Sequence, residues 1–230
     1  MGMSTSTFIL VPGAGGDPFY WHRVLPLLRD AGHEAVAVRL PAGEDGAGLA
    51  EYADVIAAAM DGANDVVLVA QSMGAFSAPL AVGRGDVARI ALVAPMIPAP
   101  GESASEFWEA SGQTTAAREC AIAEGRDPDA PFDLYEAFLH DVPAAVIERL
   151  LAEGSIGDEG KSFEDPWPLD AWPDVPTTVI AGARDRMFPL GFMRRLARER
   201  LGLGDVAVVD SGHLPALSRP QELARAILVG

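Results

Sequence analysis

Short apolar runs alternate with amphipathic segments along much of the chain. Residues 7–11 (TFILV) form one apolar run that stops at a glycine-rich turn, and residues 66–70 (VVLVA) form another. Runs of this kind are typical of strands buried on both faces. Apolar residues with helical spacing follow, as in residues 49–60 and 73–82. The alternation predicts an α/β fold, a mostly parallel central sheet flanked by helices, because right-handed crossovers place helices on both of its faces.

The pattern is interrupted in the middle of the chain and then resumes. Residues 96–172 carry only helical or loop-like stretches with many prolines. We interpret residues 1–230 as a single domain and residues 96–172 as a helical insertion, or lid, carried on its sheet. Four further strands are predicted over residues 34–38, 90–93, 177–181 and 206–209. Six further helices are predicted over residues 20–30, 106–124, 134–140, 144–153, 192–201 and 221–229.

The charge of the chain narrows the classes of partner. Its 230 residues carry a formal net charge of -16, with a sequence pI near 4.5, while 49% of the residues are hydrophobic. Such a negative field repels nucleic acids and anionic membrane surfaces, and it disfavours polyanionic substrates. We therefore expect a globular protein that binds neutral or apolar small molecules, with no nucleic acid and no membrane as partner. The oligomeric state is not indicated by the sequence.

Cysteine content and the lack of targeting signals limit the possible covalent links, metal sites and cellular locations. Cys120 is the single cysteine, which excludes an intrachain disulfide and a cysteine-based zinc site. No apolar run approaches the roughly 20 residues that a membrane span needs. The first residues show no basic segment followed by an apolar one. These observations predict a cytoplasmic location.

The segment Ala70-Gln71-Ser72-Met73-Gly74 lies where a predicted buried strand turns into a predicted helix. A serine at such a sharp turn has its hydroxyl lifted clear of the sheet, and the residues two before and two after it must be small. This pattern is typical of a nucleophile elbow, in which Gly-x-Ser-x-Gly is the usual form. Alanine replaces the first glycine here and is still small. A chance serine at a strand-helix turn remains the alternative on this motif alone.

Two later loops supply the partners that such a serine requires. Asp185 follows the predicted strand 177–181, and His213 lies in a glycine-containing loop after the strand 206–209. Both loops leave the carboxyl end of a strand, the edge at which ligands of open α/β sheets collect. The chain order serine, acid, histidine is that of the hydrolase triad. The sequence therefore predicts that Ser72, Asp185 and His213 meet at one edge.

Each predicted residue type has a chemical role. Serine becomes a nucleophile when an imidazole takes its proton, and a buried carboxylate fixes the imidazole tautomer and stabilises its charge. The developing oxyanion needs donors, for which we expect the backbone N–H groups of Met73 and Ala14. No carboxylate follows the strand 90–93, so Asp185 stays the predicted acid.

From VPGAGG to the C-terminus the chain resembles the α/β-hydrolase fold superfamily, and within it the small esterases similar to plant methylesterases and hydroxynitrile lyases. The matching stretches are FILVPGAGGDPFYWHRVLPLLRDAGHEAVAVRLPA, VVLVAQSMGA, AGARDRMFP and SGHLPALSRPQELA. Pro12 stands where a histidine is common before the oxyanion-hole glycine. Leu214 stands where the lyases have a lysine, which disfavours cyanohydrin cleavage. Serine at position 72, rather than aspartate, argues against dehalogenase and epoxide hydrolase chemistry.

The resemblance implies that the insertion roofs the site, with aromatic residues forming its core and an apolar pocket beneath. We expect this pocket to include His22, Gln71, His140, Trp167 and Leu214. For His22, packing or capping is the alternative, and for His140 a local pair with Asp141 at a helix end.

The leading functional hypothesis is a serine hydrolase that cleaves a small, largely apolar carboxylic ester, thioester or lactone through an acyl-enzyme on Ser72, without metal or organic cofactor. Two alternatives stay open because a fold does not fix a function. One is a non-hydrolytic lyase or cyclase in which His213 acts as base and Ser72 as proton relay. The other is a receptor-like protein that binds its ligand and turns it over slowly.

Overall fold

The structure is a computed structural model that describes residues 5–154 and 160–230. Within these ranges the centre of the fold is one sheet of six parallel strands in the order β2-β1-β3-β4-β5-β6. The strands are β1 Thr7–Val11, β2 Glu34–Ala37, β3 Val66–Gln71, β4 Val87–Val93, β5 Thr177–Gly182 and β6 Ala207–Val209. The predicted parallel sheet is confirmed.

Helices cover both faces of the sheet and also occur in the described parts of the chain between β4 and β5. The α-helices are α1 Leu25–Asp30, α2 Leu49–Ala59, α3 Gly74–Ser77, α4 Ala104–Ala110, α5 Gln113–Ala123, α6 Ala144–Glu153, α7 Lys161–Glu164, α8 Leu190–Leu201, α9 Pro215–Ser218 and α10 Pro220–Val229. Two short 3-10 helices, Pro18–Trp21 and Ala78–Ala81, and a π-helical turn, Tyr135–Leu139, complete the described helical elements. Along the chain the helices therefore alternate with the strands, as the sequence pattern predicts.

The core has two layers, one on each side of the sheet. Ile9 and Val11 of β1 point to the layer that includes α2, α3 and α8, whereas Phe8 and Leu10 point to the layer that includes α1 and α10. All four side chains are buried. Alternate residues of a strand face opposite sides, so a strand buried on both faces requires a continuous apolar run. This requirement explains why residues 8–11 of β1 and residues 66–70 of β3 are all apolar.

Prolines and glycines shorten or divide three of the predicted helices. The helix predicted over 73–82 is α3 followed by a 3-10 helix that contains Pro79, because proline lacks the amide donor that an α-helix needs at that position. The helix predicted over 106–124 is α4 and α5, separated at Gly112 with φ 72°. The helix predicted over 20–30 begins only at Leu25, directly before Pro26, because proline fits the first turn of an α-helix but not its interior; a separate 3-10 helix precedes it.

The chain between β4 and β5 is attached to the sheet domain at defined points. The indole Nε1 of Trp167 donates a hydrogen bond to the carbonyl of Phe76, which lies in α3, at 3.0 Å. The buried carboxylate of Glu102 forms an ion pair with Arg200 of α8. The predicted insertion, residues 96–172, includes residues 155–159, which lie outside the described ranges.

Candidate active site

Ser72 lies immediately after β3 in a sharply turned backbone. Its φ is +49°, a left-handed conformation that a residue with a side chain rarely adopts and that costs about 1–3 kcal/mol. Flanking hydrogen bonds maintain it: the Ser72 N–H donates to the Val93 carbonyl at 3.0 Å, and the Ser72 carbonyl accepts from the Met96 N–H at 3.0 Å. The end of β4 thus holds the turn, which leaves the serine half-buried at the carboxyl edge of the sheet.

A close approach of two loops explains the small residues around Ser72. A Cβ atom added to Gly74 would lie 2.6 Å from the carbonyl oxygen of Pro12 and 3.2 Å from a methyl carbon of Val11. Position 74 therefore accepts only glycine without a shift of the backbone. Ala70, two residues before the serine, is fully buried in β3, where its methyl group packs in the core.

The structure brings Ser72, His213 and Asp185 together. The imidazole Nε2 of His213 is 3.2 Å from the Ser72 Oγ, and its Nδ1 is 2.9 Å from Asp185 Oδ2. Both distances are within hydrogen-bond range. Three side chains that are far apart in the sequence are thus joined in one row, in the order in which a proton moves from a serine to an imidazole that a carboxylate orients.

The carboxylate of Asp185 is fixed by the turn in which it lies. Its Oδ1 accepts hydrogen bonds from the backbone N–H groups of Met187 and Phe188, both at 2.8 Å, so Oδ2 is left for the imidazole. Asp185 is 3% exposed and His213 is 1% exposed. Water therefore does not compete for the pair, and this arrangement favours a single tautomer of His213 with the proton on Nδ1.

Two phenylalanine rings surround the imidazole. Phe138, from the π-helical turn, lies 5.0 Å from the His213 ring centroid, and Phe188, from the turn after Asp185, lies 4.9 Å from it. Both rings meet the imidazole at steep angles of 70° and 80°. Their apolar surfaces exclude water from the histidine, and the contact with Phe138 joins the chain between β4 and β5 directly to the site.

The turn after β1 lies against Ser72. A Cβ atom added to Gly13 would be 3.1 Å from the Ser72 Cβ, which shows how close the two backbones are. The next residue is Ala14, whose backbone N–H has no hydrogen-bond acceptor within the described part of the chain, and the same holds for the N–H of Met73. Free amides beside a serine hydroxyl are suited to bind an oxyanion.

A model of the alpha/beta hydrolase family matches residues 8–226. The chain belongs to the alpha/beta hydrolase family. It is 25% identical over 254 residues to norfluorocurarine synthase 1 of Strychnos sp, with 98% of this chain and 95% of the relative covered. It is 38% identical over 108 residues to the probable esterase PIR7A of Oryza sativa subsp. indica, with 41% of each covered.

A solved structure of the methylesterase MES16 from Arabidopsis superposes with a TM-score of 0.73 at 19% identity, over 98% of each chain. At this identity the superposition shows the fold alone. Together with the family match, these comparisons confirm the α/β-hydrolase fold and the similarity to small plant esterases.

Among the predicted pocket residues of this hydrolase-family chain, Gln71, Leu214 and His140 lie next to triad residues. The side-chain oxygen of Gln71 lies against Gly13, where an added Cβ would be 2.3 Å from it. Leu214 follows His213 and is half-buried against the α1 and α10 layer. The ring of His140 packs on Gly212, where an added Cβ would be 2.8 Å from its Cε1.

Trp167 and His22 have contacts other than those expected of pocket residues. Trp167 is 1% exposed, and its indole N–H is bound to the Phe76 carbonyl, so it anchors the insertion to α3. His22 stacks on Phe19 with ring centroids 4.2 Å apart, and its Nδ1 is 2.8 Å from the Phe19 carbonyl. Burial lowers the pKa of His22. The contacts of His22 agree with the alternative given for this residue, packing or capping.

Two residues that the sequence interpretation did not assign to the site contact His213 or the segment that follows it. Phe138 carries no signal of its own among the aromatic residues of the insertion. Tyr20 is buried, and its hydroxyl accepts a hydrogen bond from the Ala216 N–H at 3.4 Å. Burial raises the pKa of Tyr20 far above its usual range, and the charge of Asp185 raises it further. The phenol therefore stays neutral beside the histidine loop.

Asp141 also lies near the triad. The sequence interpretation considered it only as the helix-end partner of His140, which was the alternative to a pocket role for that histidine. Its Oδ2 accepts a hydrogen bond from the Gly212 N–H at 2.8 Å. Gly212 directly precedes His213. The adjacent His140-Asp141 pair was the available sequence signal, but only the fold reveals that the carboxylate bonds to the histidine loop.

Other kinds of site receive little support in the described ranges. No group of three or more histidine, cysteine, aspartate or glutamate residues there is arranged to hold a metal ion. None of the described helices is long and apolar enough to cross a membrane. Two surface hollows, one beside the start of β5 and the end of α10 and one beside α2, lie away from Ser72. Neither is the apolar cavity expected beneath the insertion, which stays a prediction.

Proposed function

We propose that the protein is a serine esterase that cleaves small, largely apolar carboxylic esters, thioesters or lactones. The observation that carries this proposal is the hydrogen-bonded row of Ser72, His213 and Asp185, with distances of 3.2 and 2.9 Å. Membership of the alpha/beta hydrolase family and the similarity to a probable esterase support the same reaction class.

In the first half of the reaction, the Ser72 Oγ attacks the carbonyl carbon of the ester while His213 Nε2 takes the hydroxyl proton. The carbonyl oxygen of the ester becomes an oxyanion, which the N–H groups of Ala14 and Met73 bind. Asp185 stabilises the imidazolium and keeps its orientation. Collapse of the intermediate breaks the bond to the alcohol, which leaves with the proton from His213, and Ser72 retains the acyl group.

Water completes the cycle in the second half. His213 takes a proton from the water, whose oxygen attacks the acyl carbon, and then returns the proton to the Ser72 Oγ as the carboxylic acid leaves. Every proton in this sequence moves through the chain's own imidazole. The proposal therefore requires no metal ion or organic cofactor.

The apolar character of the substrate follows from the surroundings of the histidine and from the charge of the chain. Phe138 and Phe188 contact the imidazole with their rings. A net charge of -16 disfavours anionic substrates. We extend the proposal to the domain organisation: residues 1–230 form a single hydrolase domain, and the insertion 96–172 is a lid whose π-helical turn places Phe138 over the site.

A panel of p-nitrophenyl esters tests this proposal. Acetate, butyrate and octanoate esters, a thioester, a lactone and an anionic succinate ester are compared on the wild type and on Ser72→Ala. We expect hydrolysis of the neutral esters, weaker hydrolysis of the succinate ester, and loss of activity in Ser72→Ala. Ser77→Ala is the matched control, because Ser77 is a buried serine of α3 whose hydroxyl bonds to the Gly74 carbonyl. Full activity of Ser72→Ala would exclude the proposal.

A non-hydrolytic reaction is the second candidate, and the full-length similarity to a protein named as a synthase favours it. In that case His213 acts as a base and Ser72 relays its proton without forming a bond to the substrate. Quenching the enzyme during turnover and measuring the intact mass distinguishes the two reactions. An acyl adduct on Ser72 supports the esterase, whereas turnover without any adduct supports the second candidate.

A further inference from the structure

Asp141 is a buried carboxylate that the proposed reaction does not use. It lies in the turn between the π-helical turn Tyr135–Leu139 and α6, and its side chain is 3% exposed. One carboxylate oxygen, Oδ2, accepts the Gly212 N–H at 2.8 Å. The other, Oδ1, is buried without a hydrogen-bond partner in the described part of the chain. Burial of a charge is costly, so a carboxylate at this position needs a compensating function or partner.

The contact is made at the residue directly before His213. A Cβ atom added to Gly212 would lie 2.8 Å from Asp141 Oδ1 and 2.8 Å from His140 Cε1. On the β5 side, a Cβ added to Gly182 would lie 2.5 Å from the carbonyl oxygen of Gly212. Gly212 is therefore held between β5 and Asp141, and a displacement of Asp141 moves the backbone that carries the imidazole.

Arg184 is the only cation within ion-pair distance of Asp141 among the described residues. Its Nη2 is 3.8 Å from Asp141 Oδ2, while its Nε is 2.9 Å from the exposed Asp210. Arg184 also directly precedes Asp185. The ion pair is long, and the arginine is shared with Asp210, so the short hydrogen bond to Gly212 is the stronger of the two contacts of Asp141.

We propose that Asp141 is a positioning residue of the active site, which fixes His213 relative to Ser72 by accepting the Gly212 N–H. Its consequence for the rate rests on the proposed esterase function. The proposal assigns to the insertion a part in assembling the triad, in addition to covering it. Asp141 acts through the position of His213, which moves the proton in the proposed reaction, so we expect its loss to change kcat more than KM.

Kinetics of Asp141→Ala and Asp141→Asn test the proposal. Loss of the acceptor in Asp141→Ala is expected to reduce kcat about 10²-fold, the cost of misplacing a catalytic group by about 1 Å, with KM changed by less than about twofold. Asparagine keeps an acceptor oxygen, so Asp141→Asn is expected to recover at least about a tenth of the wild-type kcat. Asp210→Asn is the matched control, since it removes the other carboxylate partner of Arg184 and leaves Gly212 untouched. A kcat of Asp141→Ala within about twofold of that of Asp210→Asn would overturn the proposal.

Amide hydrogen exchange at Gly212 provides a readout that does not depend on catalysis. We expect this amide to exchange at least about tenfold faster in Asp141→Ala than in the wild type, with Asp141→Asn between them. Unchanged exchange at Gly212 would overturn the proposal even if the protein had no esterase activity. If Asp141→Ala does not fold, Asp141→Asn carries the test: its Gly212 exchange and kcat must both shift in the stated directions. If only the esterase function is wrong, the wild type will not hydrolyse the esters, but the Gly212 amide will still exchange faster in Asp141→Ala than in the wild type.

Discussion

Substitution of Gly74 by alanine tests the close approach between the serine turn and the turn after β1. The added Cβ would lie 2.6 Å from the Pro12 carbonyl oxygen, where ordinary contact begins at 3.4 Å. One backbone must therefore move by about 0.8 Å relative to the other, since the closest atom belongs to the backbone of Pro12 and not to a flexible side chain. The turn after Pro12 carries the Ala14 N–H, and Gly74 is two residues from Ser72, so we expect the displacement to separate the proposed oxyanion donor from the proposed nucleophile.

The effects on rate and on stability differ in size. Misplacement of about 1 Å costs about 10²-fold in rate, so we expect kcat to fall roughly 10- to 100-fold in Gly74→Ala. Overpacking costs about 1–3 kcal/mol in the free energy of unfolding, while alanine in a helix recovers about 0.5–1 kcal/mol relative to glycine. The net loss of stability is then at most about 2.5 kcal/mol. Urea unfolding and hydrolysis of p-nitrophenyl butyrate measure the two quantities.

Gly85→Ala is the matched control for this prediction. An added Cβ there would meet only the side chain of Met60, at 3.2 Å. Gly85 lies near the start of β3 and β4, whereas Ser72 follows the other end of β3. We expect its kcat to equal that of the wild type. Wild-type kcat in Gly74→Ala, or equal losses in the two variants, would refute the reasoning that the close approach positions the oxyanion donors.

Three further substitutions test the site and the packing of the insertion. Asp185→Asn is expected to lower kcat about 10⁴-fold, because the amide favours the wrong imidazole tautomer, and a loss below tenfold would contradict this. Arg200→Ala leaves the buried Glu102 unpaired and is expected to cost about 3–5 kcal/mol in urea unfolding, whereas Arg149→Ala, in an exposed pair, is expected to cost less than about 1 kcal/mol. Equal losses of unfolding free energy in the two variants would contradict the assignment of Arg200 and Glu102 as a buried ion pair. Ser103→Ala removes the N-cap of α4 and is expected to cost about 1 kcal/mol; an unchanged unfolding midpoint would show that the cap contributes nothing.

The sheet was predictable because its signal is local and strong. A strand buried on both faces needs an almost continuous apolar run, so residues 8–11 of β1 and 66–70 of β3 stand out from their surroundings in the sequence. The meeting of Ser72, Asp185 and His213 was also predictable, since parallel strands direct their following loops to one edge. In contrast, helix ends depend on single residues, and Pro79 and Gly112 ended helices that apolar spacing alone would continue.

The surroundings of the triad were less predictable because they depend on contacts between distant segments. Nothing in the spacing of aromatic residues distinguishes Phe138, whose ring reaches His213, from Trp167, which is buried against α3. Likewise, the bond between Asp141 and Gly212 joins residues separated by 71 positions. Such contacts are decided by how the insertion packs on the sheet, which no local pattern in the chain encodes.

Covalent labelling of Ser72 by a serine-directed phosphonate tests the central claim most directly. Intact-protein mass spectrometry and peptide mapping locate the label in the wild type, Ser72→Ala and His213→Ala. Since His213 Nε2 lies 3.2 Å from the Ser72 Oγ and removes its proton in the proposed reaction, we predict one stoichiometric label on Ser72 in the wild type and no label in either variant. Labelling of another residue in the wild type, or equally fast labelling in His213→Ala, would contradict the account.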